Sequence, residues 1–343
     1  MLYRLKGNYE QAEVYCKRNL ESRERLLGPE HPDTLITVGN LGLLYSNKGD
    51  YEQAEAYYTR CLEAFERLLG PEHPVTLITV GNLAGLYLRK GDYEQAEAYF
   101  KRPLEAQERL LGPEHPDTLT TVGNLAGLFQ DKGDYEKAEV LYRRCLQGCE
   151  QALGADHPDT LSTAYSLADV LSQQERHAEA IPLRRRELAW CREQNGDTDP
   201  GTLTSINSLA IDLRETGELE EAETLFRELV AANLQVLEPD DFQIGRALGG
   251  LAKTLEDTGK LEEALSYSQH ALDHRQSHEG PDAWWTNLER CDVARLLHKL
   301  KRSTEALRML DQLQMSMKDI VEPDDSDRKL MQDAEALRRD LEA

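Results

Sequence analysis

Gly28-Pro29-Glu30-His31-Pro32 returns as Gly70-Pro71-Glu72-His73-Pro74, as Gly112-Pro113-Glu114-His115-Pro116 and, changed, as Gly154-Ala155-Asp156-His157-Pro158. The starts at 28, 70, 112 and 154 fix a period of 42 residues. Degenerate copies keep the register: Gly196-Asp197-Thr198-Asp199-Pro200, Glu238-Pro239-Asp240-Asp241, Gly280-Pro281-Asp282-Ala283 and Glu322-Pro323-Asp324-Asp325. No residue is inserted or lost between them. A fixed period in this range identifies a stacked array in which each unit contacts its neighbours, so the 343 residues need not divide into several globular domains.

The unit beginning at Gly70 shows what is repeated. Pro74 suits the first turn of a helix, where its missing N–H costs nothing. Leu77, Val80, Leu83, Ala84 and Tyr87 then fall on one helical stripe. Gly91 favours the left-handed residue that ends a helix, and Asp92 can cap the next one. A second stripe runs through Tyr93, Ala96, Tyr99, Phe100, Leu104, Leu110 and Leu111. Each unit therefore predicts an antiparallel helix hairpin. Small residues at Gly42 and Ala54, Ala84 and Ala96, Ala126 and Ala138, Ala168 and Ala180, Ala210 and Ala222, and Ala252 and Ala264 mark the close approaches.

The expected organisation is an incomplete first repeat at 1–27, seven complete hairpins over 28–321 and a closing helix within 322–343. Tyr9 to Leu27 reads as a lone second helix. Leu330, Ala334, Leu337 and Leu341 share the inner face of the last one. Met1 opens where a first helix would end, so the sequence reads as a fragment or as an end that self-associates through its uncapped N-terminal repeat.

Composition excludes several classes. There are 63 acidic against 40 basic residues, a formal charge of −23, which argues against a phosphate-backbone partner. No stretch has the ~18 consecutive apolar residues of a membrane span. The N-terminus lacks the apolar core of a signal peptide, which predicts a cytoplasmic protein without a membrane partner. Cys16, Cys61, Cys145, Cys149, Cys191 and Cys291 follow helical spacing rather than a ligand pattern and read as buried thiols in a reducing compartment.

Asn82-Leu83-Ala84-Gly85-Leu86-Tyr87 with Gly91-Asp92-Tyr93-Glu94-Gln95-Ala96 resembles the tetratricopeptide repeat. The 42-residue period and the LGPEHP link are similar to its kinesin-light-chain type. The resemblance spans essentially the whole chain. It implies an all-α, right-handed superhelical solenoid of stacked hairpins whose concave groove binds peptides. Function is less specified, because the repeat is a scaffold used by many systems.

The first three units differ mainly on one side of their first helices: at Leu43, Gly85 and Gly127; at Ser46, Leu88 and Gln130; and at Asn47, Arg89 and Asp131. The resemblance places this side, with Asn40, Asn82 and Asn124, in the groove. An amide there can both donate to and accept from a ligand's backbone. The competing reading has these Asn residues bracing neighbouring helices. In later units the Asn position becomes Ser166, Ser208, Gly250 and Asp292, while Arg214, Arg246, Lys253, Arg295 and Lys299 appear on the same side. An array apolar first (Ile36, Leu43, Ile78, Leu88) and basic later could hold an apolar segment followed by acids. Asp169, Glu215, Glu256 and Asp257 dilute that charge and favour a solvated face.

No constellation carries chemistry. His31, His73, His115 and His157 sit one repeat apart, too far to share a metal, and read as punctuation where a helix begins. His270, His274 and His278 lie on one helix face without a completing Glu or Cys, and read as a surface stripe. No cofactor and no metal are expected, and the chain reads as a non-enzyme. Pro103 stands inside a second helix where Cys61 and Cys145 stand in others, and should cost a backbone bond and bend that helix. Of Trp284 and Trp285, one should pack and the other remain exposed. The expected function is a protein- or peptide-binding scaffold; the alternative is a sensor or regulatory part of a larger nucleotide-binding or protease switch.

Overall fold

The structure, a computed structural model, describes residues 9–238, 241–318 and 324–342. The start of the incomplete first repeat (1–8), Pro239-Asp240 and Glu322-Pro323 lie outside the described residues. Among the described residues there are sixteen helices and no strands. The chain divides into two compact units, Met1–Gln174 and Glu175–Ala343.

In unit 1, α1 (Tyr9–Leu27) precedes three hairpins: α2/α3 (Pro32–Lys48, Tyr51–Leu69), α4/α5 (Pro74–Arg89, Tyr93–Leu110) and α6/α7 (Pro116–Asp131, Tyr135–Leu153). Helix α8 (Pro158–Gln173) follows. Each helix packs on the next in sequence. The Gly-Asp pair between hairpin arms acts twice. Gly49 is left-handed (φ 82°), Gly49 N–H donates to Ser46 O, and Asp50 N–H donates to Tyr45 O at 3.0 Å. This reciprocal pair of bonds satisfies carbonyls that the helix end leaves open. Asp50 Oδ1 then accepts from Gln53 N–H and caps α3, an arrangement repeated at Asp92 and Asp134.

The histidines of the links have a definite task. Nδ1 of His31, His73, His115 and His157 accepts the backbone N–H two residues on, capping α2, α4, α6 and α8. That bond needs Nδ1 unprotonated. Inside the hairpins, small residues admit aromatic rings: a Cβ added at Gly42 would lie 2.8 Å from the Tyr58 ring. Successive repeats are clamped by polar contacts at their edge. Glu13 accepts from Tyr45 Oη (2.7 Å) and Lys48 Nζ (2.5 Å), and Glu55 accepts from Tyr87 Oη and Lys90 Nζ in the same way. Hydrogen bonds from Lys17, Lys48 and Tyr45 hold the Glu13 carboxyl down at about 2.

In unit 2, α9 (His177–Asn195) precedes hairpins α10/α11 (Pro200–Glu215, Leu219–Val236), α12/α13 (Phe242–Asp257, Leu261–His278) and α14/α15 (Trp284–Lys299, Ser303–Met317). Helix α16 (Asp325–Glu342) follows and buries Leu330 and Ala334 against α14 and α15. Here the hairpin caps change. Glu218, Lys260 and Arg302 precede their helices without a side-chain cap bond. Lys301 takes the left-handed position that glycine holds elsewhere, at φ 61°.

One expectation needs correcting. Leu110 and Leu111 are read from the sequence as part of the buried stripe of α5, yet both are exposed: Leu110 is the last residue of the helix and Leu111 its C-cap, beyond Ala106, the last residue that the helix buries. Pro103 lies within Tyr93–Leu110 with its ring buried.

Candidate functional site

The first helices of unit 1 place the predicted groove residues on one face. Asn40, Asn82 and Asn124 sit at repeat-equivalent positions of α2, α4 and α6, all exposed, and among the described residues no hydrogen bond engages their amides. Their neighbours Leu41, Leu83 and Leu125 are buried, so the helix phase that builds the core aims the amides outward.

A cavity of about 790 Å³ opens on this face. Gly85, Leu88, Arg89, Gly127, Gln130 and Asp131, all at positions that vary among the units, line it together with Asn124. Arg89 Nη1 donates to Asn47 Oδ1 at 2.7 Å, which joins Asn47 to the same surface although it does not line the cavity. Tyr142 Oη donates to Gln130 Oε1 at 3.0 Å and fixes that amide. Asn40 and Leu43 lie outside the cavity, on α2.

A second cavity of about 380 Å³ lies between α4, α5 and α6 and has Asn82 and Asn124 at its margin. It shares Gly81, Phe100, Thr120 and Asn124 with the first, so the two are continuous. The sequence reading missed Gly81 and Tyr142. Gly81 is one of three equivalent glycines and carried no variation to mark it; Tyr142 belongs to the core stripe by its spacing.

The basic stripe of unit 2 is largely neutralised within the unit. Arg295 and Lys299 both reach Glu256, at 2.9 and 2.8 Å, and Arg295 also reaches Asp292 at 2.8 Å. Lys253 lies 3.4 Å from Asp292, and Arg214 pairs with Glu215. Burial would raise the Glu256 carboxyl, but hydrogen bonds from Lys299 and Arg295 outweigh it and hold the group below its ordinary value. Arg246 is exposed and, among the described residues, makes no ion pair, which leaves one of these five cations unengaged there.

Reactive groups are placed for packing. Cys61, Cys145, Cys149, Cys191 and Cys291 are buried, and Cys16 is half-buried. Burial pushes Cys61 and Cys149 up to about 12 and Cys191 and Cys291 up to about 11. They stay thiols, which are poor nucleophiles. Among the described residues no group of three or more His, Cys, Asp or Glu is arranged to hold a metal ion. The rings of His274 and His278 lie 4.8 Å apart on α13, with His278 exposed and His274 half-buried. Trp285 is exposed and lies over the Arg275 guanidinium at 5.3 Å, while Trp284 is half-buried. No described helix is long and apolar enough to cross a membrane.

The family model described as tetratricopeptide repeat matches residues 1–67, 38–108, 75–151, 117–186, 162–235 and 207–277. The chain belongs to the tetratricopeptide repeat family. Arrays of this family are generally protein-interaction scaffolds without catalysis. A kinesin-light-chain-like protein of Podosopora anserina with nearly identical TPR-like repeats is 24% identical, with a TM-score of 0.53 over 61% of this chain and 99% of its own. BtubC (BKLC) from P. vanneervenii is 21% identical, with a TM-score of 0.59 over 66% of this chain and 91% of its own. The apo form of the quorum sensor NprR from B. thuringiensis is 16% identical, with a TM-score of 0.63 over 92% of this chain and 86% of its own. These likenesses carry the fold. Comparison with curated protein sequences gives no match.

Proposed function

We propose that this tetratricopeptide array is a non-enzymatic scaffold that holds an extended segment of another protein on the first-helix face of unit 1. The observation that supports it best is the amide ladder. Asn40, Asn82 and Asn124 are exposed, unengaged and repeat-equivalent, and Asn124 opens onto the 790 Å³ cavity. A side-chain amide offers both a donor and an acceptor, which matches an extended backbone whose N–H and C=O groups are unpaired. Leu88, Arg89, Gln130 and Asp131 beside it differ from unit to unit and would set which side chains are accepted. No residue favours a regulatory part of a larger switch over this reading.

The test is selection from a degenerate library of nine-residue peptides on the full chain and on the Asn40→Ala, Asn82→Ala, Asn124→Ala triple variant. The amides are exposed, so the triple variant should unfold within about 0.5 kcal/mol of the parent. Peptide recovery should fall at least about tenfold, the loss of one or two hydrogen bonds. Equal recovery from both proteins removes the amides from the mechanism.

A further inference from the structure

The 380 Å³ chamber recurs one unit on within the 790 Å³ cavity, where Leu119, Gly123, Tyr142, Cys145 and Cys149 stand for Leu77, Gly81, Phe100, Pro103 and Gln107, and two of these substitutions give it a lining of its own. In α2/α3, the Cys61 thiol donates to Leu35 O at 3.2 Å and sits 3.8 Å from where a Cβ on Gly39 would be. In α6/α7, Cys145 does the same with Leu119 O (3.3 Å) and Gly123 (3.6 Å). Pro103 replaces that thiol in α4/α5, and a Cβ on Gly81 would meet nothing within 4 Å. One turn on, the buried Phe65 of α3 is replaced by Gln107, whose amide turns to the Thr121 hydroxyl at 2.7 Å. The chamber is walled by Leu77, Phe100 and Pro103 and flanked by the exposed Ile78, Leu110 and Leu111.

The charge around it has one sign. Four carboxylates, Glu72, Asp117, Asp131 and Asp159, line the two continuous cavities against one guanidinium, Arg89, which is already engaged by Asn47. Arg109 pairs with Glu72 and leaves the other three. Asp131 is exposed and carries no hydrogen bond or ion pair. In a chain of formal charge −23, the surface next to the chamber attracts cations.

We propose that the Pro103 chamber seats one bulky apolar side chain of an extended peptide, and that a lysine or arginine adjoins that residue. The proposal rests on the peptide-scaffold reading above and names the chemistry of its ligand. Burying a Leu-, Met- or Phe-sized side chain there is worth about tenfold or more in affinity. The amides of Asn82 and Asn124 flank the chamber and would fix the backbone on either side of the anchor.

The test uses N-acetylated nine-residue peptide libraries with the central residue fixed, measured by fluorescence anisotropy on the full chain. Libraries fixing Leu, Met or Phe should bind at least about tenfold tighter than the library fixing Ser. A second position scan should favour Lys or Arg over Glu next to the anchor, and added salt should erase that preference. Gly81→Leu fills the chamber from a position with open space. It should abolish the apolar preference with the helical fold intact by circular dichroism. If the libraries bind without preferring an apolar centre, or if Gly81→Leu binds the Leu library as the parent does, the chamber assignment is wrong and the groove reading stands. A preference for Glu beside the anchor overturns the charge assignment. If no library binds, both readings fail.

Discussion

Where the hairpins of unit 1 place Tyr58, Phe100 and Tyr142, unit 2 places Arg184, Phe226 and Ser268; where unit 1 buries Leu44, Leu86 and Leu128, unit 2 buries Asp212, Thr254 and Leu296. The register is the same and the chemistry is not. Unit 1 fills its core with rings and leucines and keeps its ionic contacts at the edges. Unit 2 puts charges inside: Arg184 Nε lies 2.5 Å from one oxygen of Asp212, and His177 Nδ1 lies 2.7 Å from the other. It also buries Glu289 beside Arg275 at 3.5 Å. A repeat fixes where side chains meet, and many pairs can satisfy the meeting if they match each other.

The sharpest way to break that comparison is to remove one member of a buried pair. Asp212→Leu restores the residue type of unit 1 but strands Arg184, and should destabilise unit 2 by about 3–5 kcal/mol. Arg184→Phe combined with Asp212→Leu and His177→Tyr rebuilds the pattern of unit 1 and should recover that loss or exceed it. Trp190, Trp284 and Trp285 all belong to unit 2, so tryptophan fluorescence during urea unfolding reports on it selectively. A triple variant no better than Asp212→Leu alone would show that the pair is not interchangeable with apolar packing.

Next comes Glu289. Burial, and then the nearby Asp292, push its carboxyl up to about 7 from an ordinary 4.5, against the opposing pull of Arg275 and Lys253. Because the folded value lies above the unfolded one, the group contributes its full stability below about pH 4.5 and loses it as pH rises through about 7. Glu289→Gln should therefore narrow the stability difference between pH 4.5 and pH 8 by about 3 kcal/mol, read by the same fluorescence. A variant with the parent's pH profile would place the proton elsewhere.

Pro103 is the exception within unit 1. Pro103→Cys returns a backbone N–H to α5 and should stabilise its surroundings by up to about 3 kcal/mol, measured by hydrogen exchange of α4 and α5. The smallest effect is at Lys301, whose left-handed backbone costs what Gly49, Gly91 and Gly133 avoid. Lys301→Gly should gain about 1 kcal/mol by urea unfolding.

The 42-residue period was enough to read a chain of repeated helix hairpins, because local signals mark each helix end. Proline begins a helix, Gly-Asp ends one and caps the next, and both act within a few residues. The amide ladder was legible for the same reason: its phase opposite the leucines is a property of one helix. The histidine caps were legible only as punctuation, since the Nδ1 bond depends on ring orientation.

Other features could not be read from spacing. Spacing could not say which carboxylates the cations of unit 2 reach, Glu256 and Asp292 among them, or that Leu110 and Leu111 are exposed at the end of α5. The Pro103 chamber depends on side chains from three helices: Leu77 on α4, Phe100, Pro103 and Gln107 on α5, and Thr121 on α6. Sequence alone determined the helices, their order and the faces they bury, because those follow from period and short-range capping. Tertiary structure alone decided which charges are already engaged and where space remains, because pairing and packing are set largely by residues on different helices.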